Sequence, residues 1–306
     1  MKIPKSIRAD LALAAITFVW GSTFTVVKDS LTYISPILFV AVRFWIATAI
    51  IVVLMPGQFR RMSARSLRQG LILSVVLLGS FVFQTLGLRT TNPSSSAFIT
   101  ALSVVLVPPL GFIIFRDRPR LQTIAGVALA TLGLWVLLVN LRELKLGSGE
   151  MLTLICAFLF AFQILLLGHF VRTTDYRQLM LLQMAGTAVF STILAPILET
   201  PFVVWNSRLL LYLFVTGVLA TAVAFYVQAR AQQFTTPNRA ALIFSLEPFF
   251  AALFAYWILG QVLTVREWIG GALILAGILA SELRLSQSAM ETNSVLPAME
   301  DRPSAE

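Results

Sequence analysis

The chain has 306 residues, 58% of them hydrophobic and 12% charged, with a mean hydropathy of +0.86. Soluble domains run at about 45–50% apolar and about 25% charged, so a single water-soluble core would leave large apolar patches exposed. The formal net charge of +9 does not read as a nucleic-acid signal, because the cations fall at the ends of apolar runs and form no compact stripe with exposed aromatics.

Ten apolar segments follow one another along the chain, near 10–28, 35–55, 68–88, 94–115, 121–140, 150–171, 178–198, 208–230, 238–259 and 265–283. Each approaches the ~20 residues that cross ~30 Å of hydrocarbon at ~1.5 Å per residue. The runs are continuous rather than alternating, which predicts helices and not the strands of a barrel. Turn signals punctuate the links: Met-Pro-Gly at 55–57, Thr-Asn-Pro-Ser at 91–94, Gly-Ser-Gly at 147–149 and Thr-Thr-Pro-Asn at 235–238. The first apolar stretch, Leu11 to Val27, is too long for a signal h-region and is expected to stay as a helix. The polar stretch from Leu285 to Glu306 is expected to be a disordered tail. Cys156 is the single cysteine and lies in an apolar run, which predicts a small buried residue and excludes an intrachain disulfide.

The cations orient the chain. With a cytoplasmic N-terminus, 16 Lys and Arg fall on the cytoplasmic side and 6 outside, while Arg43 lies within a segment. That positive-inside bias places both termini in the cytoplasm of a plasma membrane (a bacterial inner membrane), consistent with an even number of spans.

Shifted by 144 residues, the two halves agree. Thr91 meets Thr235, Pro93 meets Pro237, Gln84 meets Gln228, Phe81 meets Phe225, and the glycines Gly126 and Gly133 meet Gly270 and Gly277. Each half holds five segments. Five is odd, so the second copy enters from the opposite side, the inverted repeat of many secondary transporters. The expectation is an all-α integral membrane protein of ten transmembrane helices in two inverted five-helix repeats. Residues 1–9 form a cytoplasmic N-terminus, 10–140 and 150–283 the repeats, and 285–306 a cytoplasmic tail. The glycine pairs, seven residues apart, put small residues on one face of the fifth and tenth helices and predict close packing there.

Several short motifs carry a family resemblance. Trp20-Gly-Ser-Thr-Phe24, Arg43-Phe44, Phe83-Gln84 with Gly87-Leu88, Ala97-Phe-Ile-Thr-Ala-Leu102, Ser245-Leu-Glu-Pro248 with Ala251-Ala-Leu253, and Trp268-Ile-Gly270 occur in order along residues 10–283. Together they resemble the EamA-like branch of the drug/metabolite transporter superfamily. The resemblance implies ten helices in an inverted repeat and transport of small organic solutes, often amino-acid or metabolite export. One departure is Gly260-Gln261, where such proteins often carry Gly-Glu.

Glu247 is the residue that most needs an account. Ten residues past Pro237 it lies about 15 Å into the bilayer. A carboxylate there costs about 2.5–3.5 kcal/mol on insertion scales, so it should face a wet cavity or a partner. Its repeat mate is the uncharged Ser103. Pro248 cannot donate its N–H, which frees the Phe244 carbonyl and predicts a kink, with Asn238 as the helix N-cap. Glu247 is either a substrate or proton site or a structural hydrogen-bonding group. Arg43 is either a clamp on backbone or an acid, or an anchor for a substrate carboxylate. Gln84 and Gln228 suit a pair of gate residues or plain interhelical bonds. Trp20 is deep for a tryptophan and suits a cavity wall, joined by some of Phe18, Phe24, Phe83, Phe225, Tyr226 and Phe244. His169 reads as interfacial.

The candidate site is therefore Glu247, Trp20, Arg43, Gln84, Gln228, Ser103, Phe244 and Tyr226. There is no phosphate-binding Gly-x-x-x-x-Gly-Lys loop and no nucleophile elbow, and one His with one Cys excludes most metal clusters. The expected activity is secondary transport with a small organic solute and lipid as partners and proton coupling as a candidate. No enzyme activity, nucleic acid, cofactor or metal is expected, and the chain is expected as a monomer or homodimer. The alternatives are a membrane-embedded enzyme, or a channel or receptor.

Overall fold

A computed structural model describes residues 4–57, 62–116, 121–138, 147–259 and 265–283. The expected tail at 285–306 and the Gly260-Gln261 departure lie outside them. Among the described residues every regular element is a helix, and the extended backbone is limited to one isolated bridge between Ile34 and Val203.

The helices are α1 Lys5–Ser30, α2 Pro36–Leu54, α3 Ala64–Leu88, α4 Pro93–Ala101, α5 Ser103–Phe115, α6 Leu121–Leu138, α7 Ser148–Phe170, α8 Tyr176–Leu198, α9 Ser207–Leu213, α10 Ala224–Ala231, α11 Pro237–Phe244, α12 Glu247–Leu259 and α13 Val265–Leu283. A π-helical stretch, Phe214–Val223, joins α9 to α10. Seven helical runs are long and apolar enough to cross a membrane: α1, α2, α3, α4 with α5, α7, α8, and the composite Ser207–Ala231. The three remaining apolar segments hold α6, α11 with α12, and α13. Chain, core and surface all fit a multi-pass membrane protein. Leu54, Trp135, Ile197, Trp257 and Trp268 are exposed on helix faces that lipid would cover.

Local sequence sets the helix ends. Pro36, Pro93 and Pro237 each sit in a helix's first turn, where no intrahelical N–H bond is lost. The Glu199 carboxylate caps α2 from the end of α8, accepting from the Ile37 and Leu38 N–H groups at 3.1 and 2.9 Å. Ser63 and Ser66 form a reciprocal cap on α3. The cap of α11 is Thr236, whose hydroxyl accepts from the Arg239 N–H at 3.3 Å, and not Asn238 as expected. Pro237 at the first helical position explains the correction, because it holds the residue before it extended. The Gly-Ser-Gly at 147–149 likewise begins α7 rather than forming a separate turn.

Two further features depart from the expected uninterrupted helices. The segment 238–259 does not kink at Pro248 but breaks at Ser245–Leu246 and restarts at Glu247, leaving Pro248 in the new first turn. The segment 94–115 breaks at Leu102 and restarts at Ser103. The breaks stand at the same register under the 144-residue shift. Pro248 accounts for the break at Ser245–Leu246, since it removes one helical hydrogen bond. Nothing in the sequence accounts for the break at Leu102.

Close approaches hold the bundle together. α6 packs along α13, and a Cβ on Gly277 would come within 2.5 Å of the Gly126 carbonyl oxygen. α1 crosses α12 at Gly21, where a Cβ would meet Phe250 Cβ at 2.7 Å and the Ala251 nitrogen at 2.9 Å. The latter crossing seats Trp20 beside the break before Glu247.

Candidate functional site

The helix breaks and parts of α1, α2, α3, α7 and α10 surround one cavity, mainly apolar with a few polar groups, the usual make-up of a small-molecule site. Seven of the eight candidate residues line it: Trp20, Arg43, Gln84, Ser103, Gln228, Phe244 and Glu247. Tyr226 does not. Its hydroxyl lies 3.3 Å from that of Tyr176 and accepts from the Arg230 guanidinium at 3.3 Å. Helical spacing explains the miss, since Phe225 and Gln228 lie on the cavity side of α10 and Tyr226 is rotated away.

Arg43 is buried, 3% exposed. Its Nε donates to the Thr221 hydroxyl at 2.6 Å, and its guanidinium lies 4.5 Å from the Phe81 ring centroid. Such a cation–π contact is worth about 0.5–2 kcal/mol. The expected clamp on carbonyls or an acid is thus replaced by a hydroxyl and a ring. The π-helical stretch makes this arrangement: the Thr221 hydroxyl donates back to the Thr216 carbonyl at 2.7 Å, and the Ala220 carbonyl accepts from Trp20 Nε1 at 2.8 Å. A wide helical turn at such a place agrees with the habit of π segments to sit at functional sites.

Glu247 begins α12, and its carboxylate makes no hydrogen bond or ion pair with any described residue. Arg43 and Glu247 therefore face the same volume without neutralising each other. Aromatic rings line the same cavity. Trp20 meets Phe225 and Phe244 at 5.5 and 5.2 Å between centroids, and Phe81 meets Phe160 and Phe225 at 5.5 and 5.9 Å. Of the aromatics expected here, Phe24, Phe225 and Phe244 line the cavity, while Phe18 is exposed and Phe83 stands outside the lining.

The sequence reading missed Thr100, Gln163, Phe81 and Phe160 as lining residues. Gln163 accepts from Gln228 Nε2 at 3.1 Å. Phe81 could have been found, because it is the repeat mate of Phe225. His169 stacks on Phe115 at 4.3 Å, is exposed and does not line this cavity. Cys156 is buried. Among the described residues no group of three His, Cys, Asp or Glu side chains could hold a metal.

A helical membrane bundle with a central cavity that presents one acid, one cation and an aromatic wall defines a class of solute-handling membrane proteins. The family assignment is specific. The chain belongs to the EamA-like transporter family, whose model matches it twice, over residues 7–139 and 147–282. It is 32% identical over 281 residues to an uncharacterized transporter of Archaeoglobus fulgidus, covering 92% of this chain and 88% of that protein. It is 22% identical over 294 residues to the uncharacterized transporter YyaM of Bacillus subtilis, covering 90% and 94%. A 157-residue match at 31% identity, about half of each chain (49% and 50%), relates it to a probable amino-acid metabolite efflux pump of Salmonella typhimurium. One solved crystal structure superposes with a TM-score of 0.73 at 20% identity, over 90% of this chain and 98% of that one, which supports the fold alone.

Proposed function

We propose that the protein is a secondary transporter that moves a small zwitterionic organic solute, an amino acid or a close relative, by alternating access. Ten spans in two inverted five-helix repeats, 10–140 and 150–283, would carry the motion, with both termini cytoplasmic. The carrying observation is the cavity that Glu247 and Arg43 both line, unpaired with each other, together with a set of aromatic rings. An α-ammonium suits Glu247, an α-carboxylate suits the Arg43 guanidinium, and an apolar side chain suits Trp20, Phe81, Phe225 and Phe244. The twofold family match, the matching helix breaks at 102 and 245–246, and the close glycine contact of α6 with α13 support the repeat. The midplane breaks resemble the discontinuous helices with which inverted-repeat transporters bind their cargo. The family and the open cavity favour a transporter over an enzyme. The resemblance of half the chain to an efflux pump favours export.

Counterflow in proteoliposomes tests this reading. Vesicles loaded with a millimolar mixture of unlabelled amino acids should take up at least one labelled member transiently, against its gradient. Uptake no greater than in empty liposomes across amino acids, amines and carboxylates would overturn the solute class.

A further inference from the structure

α1 is tied down at both ends, and the two ties are related. At the end where α1 begins, Asp10 accepts from the Thr235 hydroxyl at 3.3 Å and forms an ion pair with Arg239. Both partners are partly buried, with side chains 15% and 21% exposed. At the opposite end, Lys28 Nζ donates to the Leu88 and Thr91 carbonyls at 2.9 and 2.8 Å. Thr91 and Thr235 are repeat mates, and each stands two residues before the proline that opens a broken helix. The threonine–carboxylate bond also occurs twice, crosswise. The Thr91 hydroxyl meets Glu150 at the start of α7 at 3.2 Å, as Thr235 meets Asp10 near the start of α1.

These turns are mechanically close to the cavity. From Thr91 the half-helix α4 leads to the break before Ser103. From Thr235 the half-helix α11 leads to the break before Glu247. Behind the Asp10 tie, Gln228 and Gln232 lie one turn apart on and just after α10, with Gln163 opposite on α7. Gln163 Nε2, Gln228 Oε1 and Gln232 Oε1 are buried without a partner in the protein. Buried polar groups are normally satisfied by protein or by water. A state in which water enters from this end would satisfy all three. The repeat mates of Gln228 and Gln232 are Gln84, which is only half-buried, and the apolar Leu88.

We propose that these two ties are alternating latches. The Asp10–Arg239–Thr235 contact would close the cavity toward the end where α1 begins, the cytoplasm on the orientation proposed above. The Lys28 contact with the Leu88 and Thr91 carbonyls would close it toward the other side, and one latch would release in each half of the cycle. The proposal rests on the alternating-access reading. The near latch is an ion pair and the far latch a cation on carbonyls, so each can be removed alone. Arg172, the repeat mate of Lys28, is exposed and makes no side-chain bond among the described residues, so the cation-on-carbonyl tie is not repeated at the end where α1 begins.

The test uses the full chain with its one cysteine replaced, Cys156→Ala, and a reporter at Gln228→Cys or Gln84→Cys. An impermeant maleimide is applied from each face of membrane vesicles. Adding Asp10→Asn should speed cytoplasmic-side labelling of the Gln228→Cys reporter about fivefold or more, the scale of a small coupling free energy. It should leave outside labelling of the Gln84→Cys reporter unchanged or slower. Lys28→Met should do the converse. The exchange Asp10→Arg with Arg239→Asp should restore slow labelling, and Arg239→Lys gives a milder reading if Asp10→Asn folds poorly. Rates that do not respond, or both reporters speeding together in one variant, would overturn the latches. The labelling needs no solute. Counterflow with unresponsive labelling would therefore sink the latches alone, and responsive labelling without counterflow would sink the transport reading alone.

Discussion

The two halves of the chain share one plan and differ at the places where chemistry is expected. Both break their fourth segment at the same register, yet the break leads into Ser103 in the first half and Glu247 in the second. Gln84 is half-buried while its mate Gln228 is 1% exposed and bonded to Gln163. Lys28 holds two carbonyls, whereas its mate Arg172 is exposed. Arg43 has no charged mate at all, since the 144-residue shift carries it to Thr187. The shared features concern backbone: breaks, prolines, glycines and turns. Most of the differing features concern charge. A duplicated scaffold can supply two exchangeable shapes, while a single acid and a single cation give the cavity a polarity that a perfect twofold would cancel. That separation is what a carrier for an asymmetric zwitterion requires.

The comparison can be broken by erasing the charge difference. Glu247→Ser copies the first-half residue into the second half and should reduce counterflow by tenfold or more, about 1.4 kcal/mol at the least. Insertion and the melting temperature in detergent should hold or improve, because an unpaired intramembrane carboxylate is a cost to the fold. Equal loss of fold and function would instead make Glu247 a structural residue. Restoring the charge on the other side, with Ser103→Glu added, should not recover the original rate, since Arg43 would then face an acid carried by a different half-helix. Full recovery would show that the side of the acid is immaterial.

Arg43→Lys keeps the charge and loses the planar fork over Phe81 and the Nε bond to Thr221. Solute affinity should fall about tenfold, and the protein should lose about 1–2 kcal/mol of stability, read as a lower melting temperature. A melting temperature equal to the original with unchanged affinity would remove Arg43 from the account.

Gln228→Leu and Gln84→Leu sharpen the comparison at smaller scale. The first leaves Gln163 buried without its partner and should destabilise by about 1–2 kcal/mol. The second alters a half-buried side chain that makes no hydrogen bond among the described residues and should stay within about 0.5 kcal/mol. Thermal unfolding in one detergent decides the order, and a larger effect at Gln84 would reverse the assignment of the more closed side.

Much of this was open to reading in the sequence, for identifiable reasons. Bilayer thickness fixes segment length, so the apolar runs coincide with helices, and prolines 36, 93 and 237 mark their starts. A polar residue in an apolar run is costly, which is why Glu247, Arg43, Gln84, Gln228 and Ser103 stood out and why they meet in one cavity. The break at Leu102 stayed hidden because no proline or glycine marks it. The π stretch stayed hidden because Thr216 and Thr221 look like ordinary helix threonines until Arg43 and Trp20 are seen to use that turn. Phe81 and Phe160 were lost among 23 phenylalanines. Gln163 has no polar repeat mate to single it out, yet it bonds Gln228 and faces the cavity. Tyr226 suits a cavity wall by its chemistry, but its place on α10 turns it toward Tyr176 and Arg230 instead.

The most direct measurement compares the original protein with Glu247→Gln in proteoliposomes, first by solute counterflow and then by transport driven by an imposed pH gradient. The pH dependence of the original protein is established beforehand with the solute found by counterflow. The glutamine keeps the shape and hydrogen bonding of the carboxylate and removes its titration. If Glu247 couples protons to movement of a solute held in the cavity, the variant should still exchange labelled for unlabelled solute but should no longer respond to the gradient. Gradient-driven transport by the glutamine variant that matches the original at every pH would contradict the account.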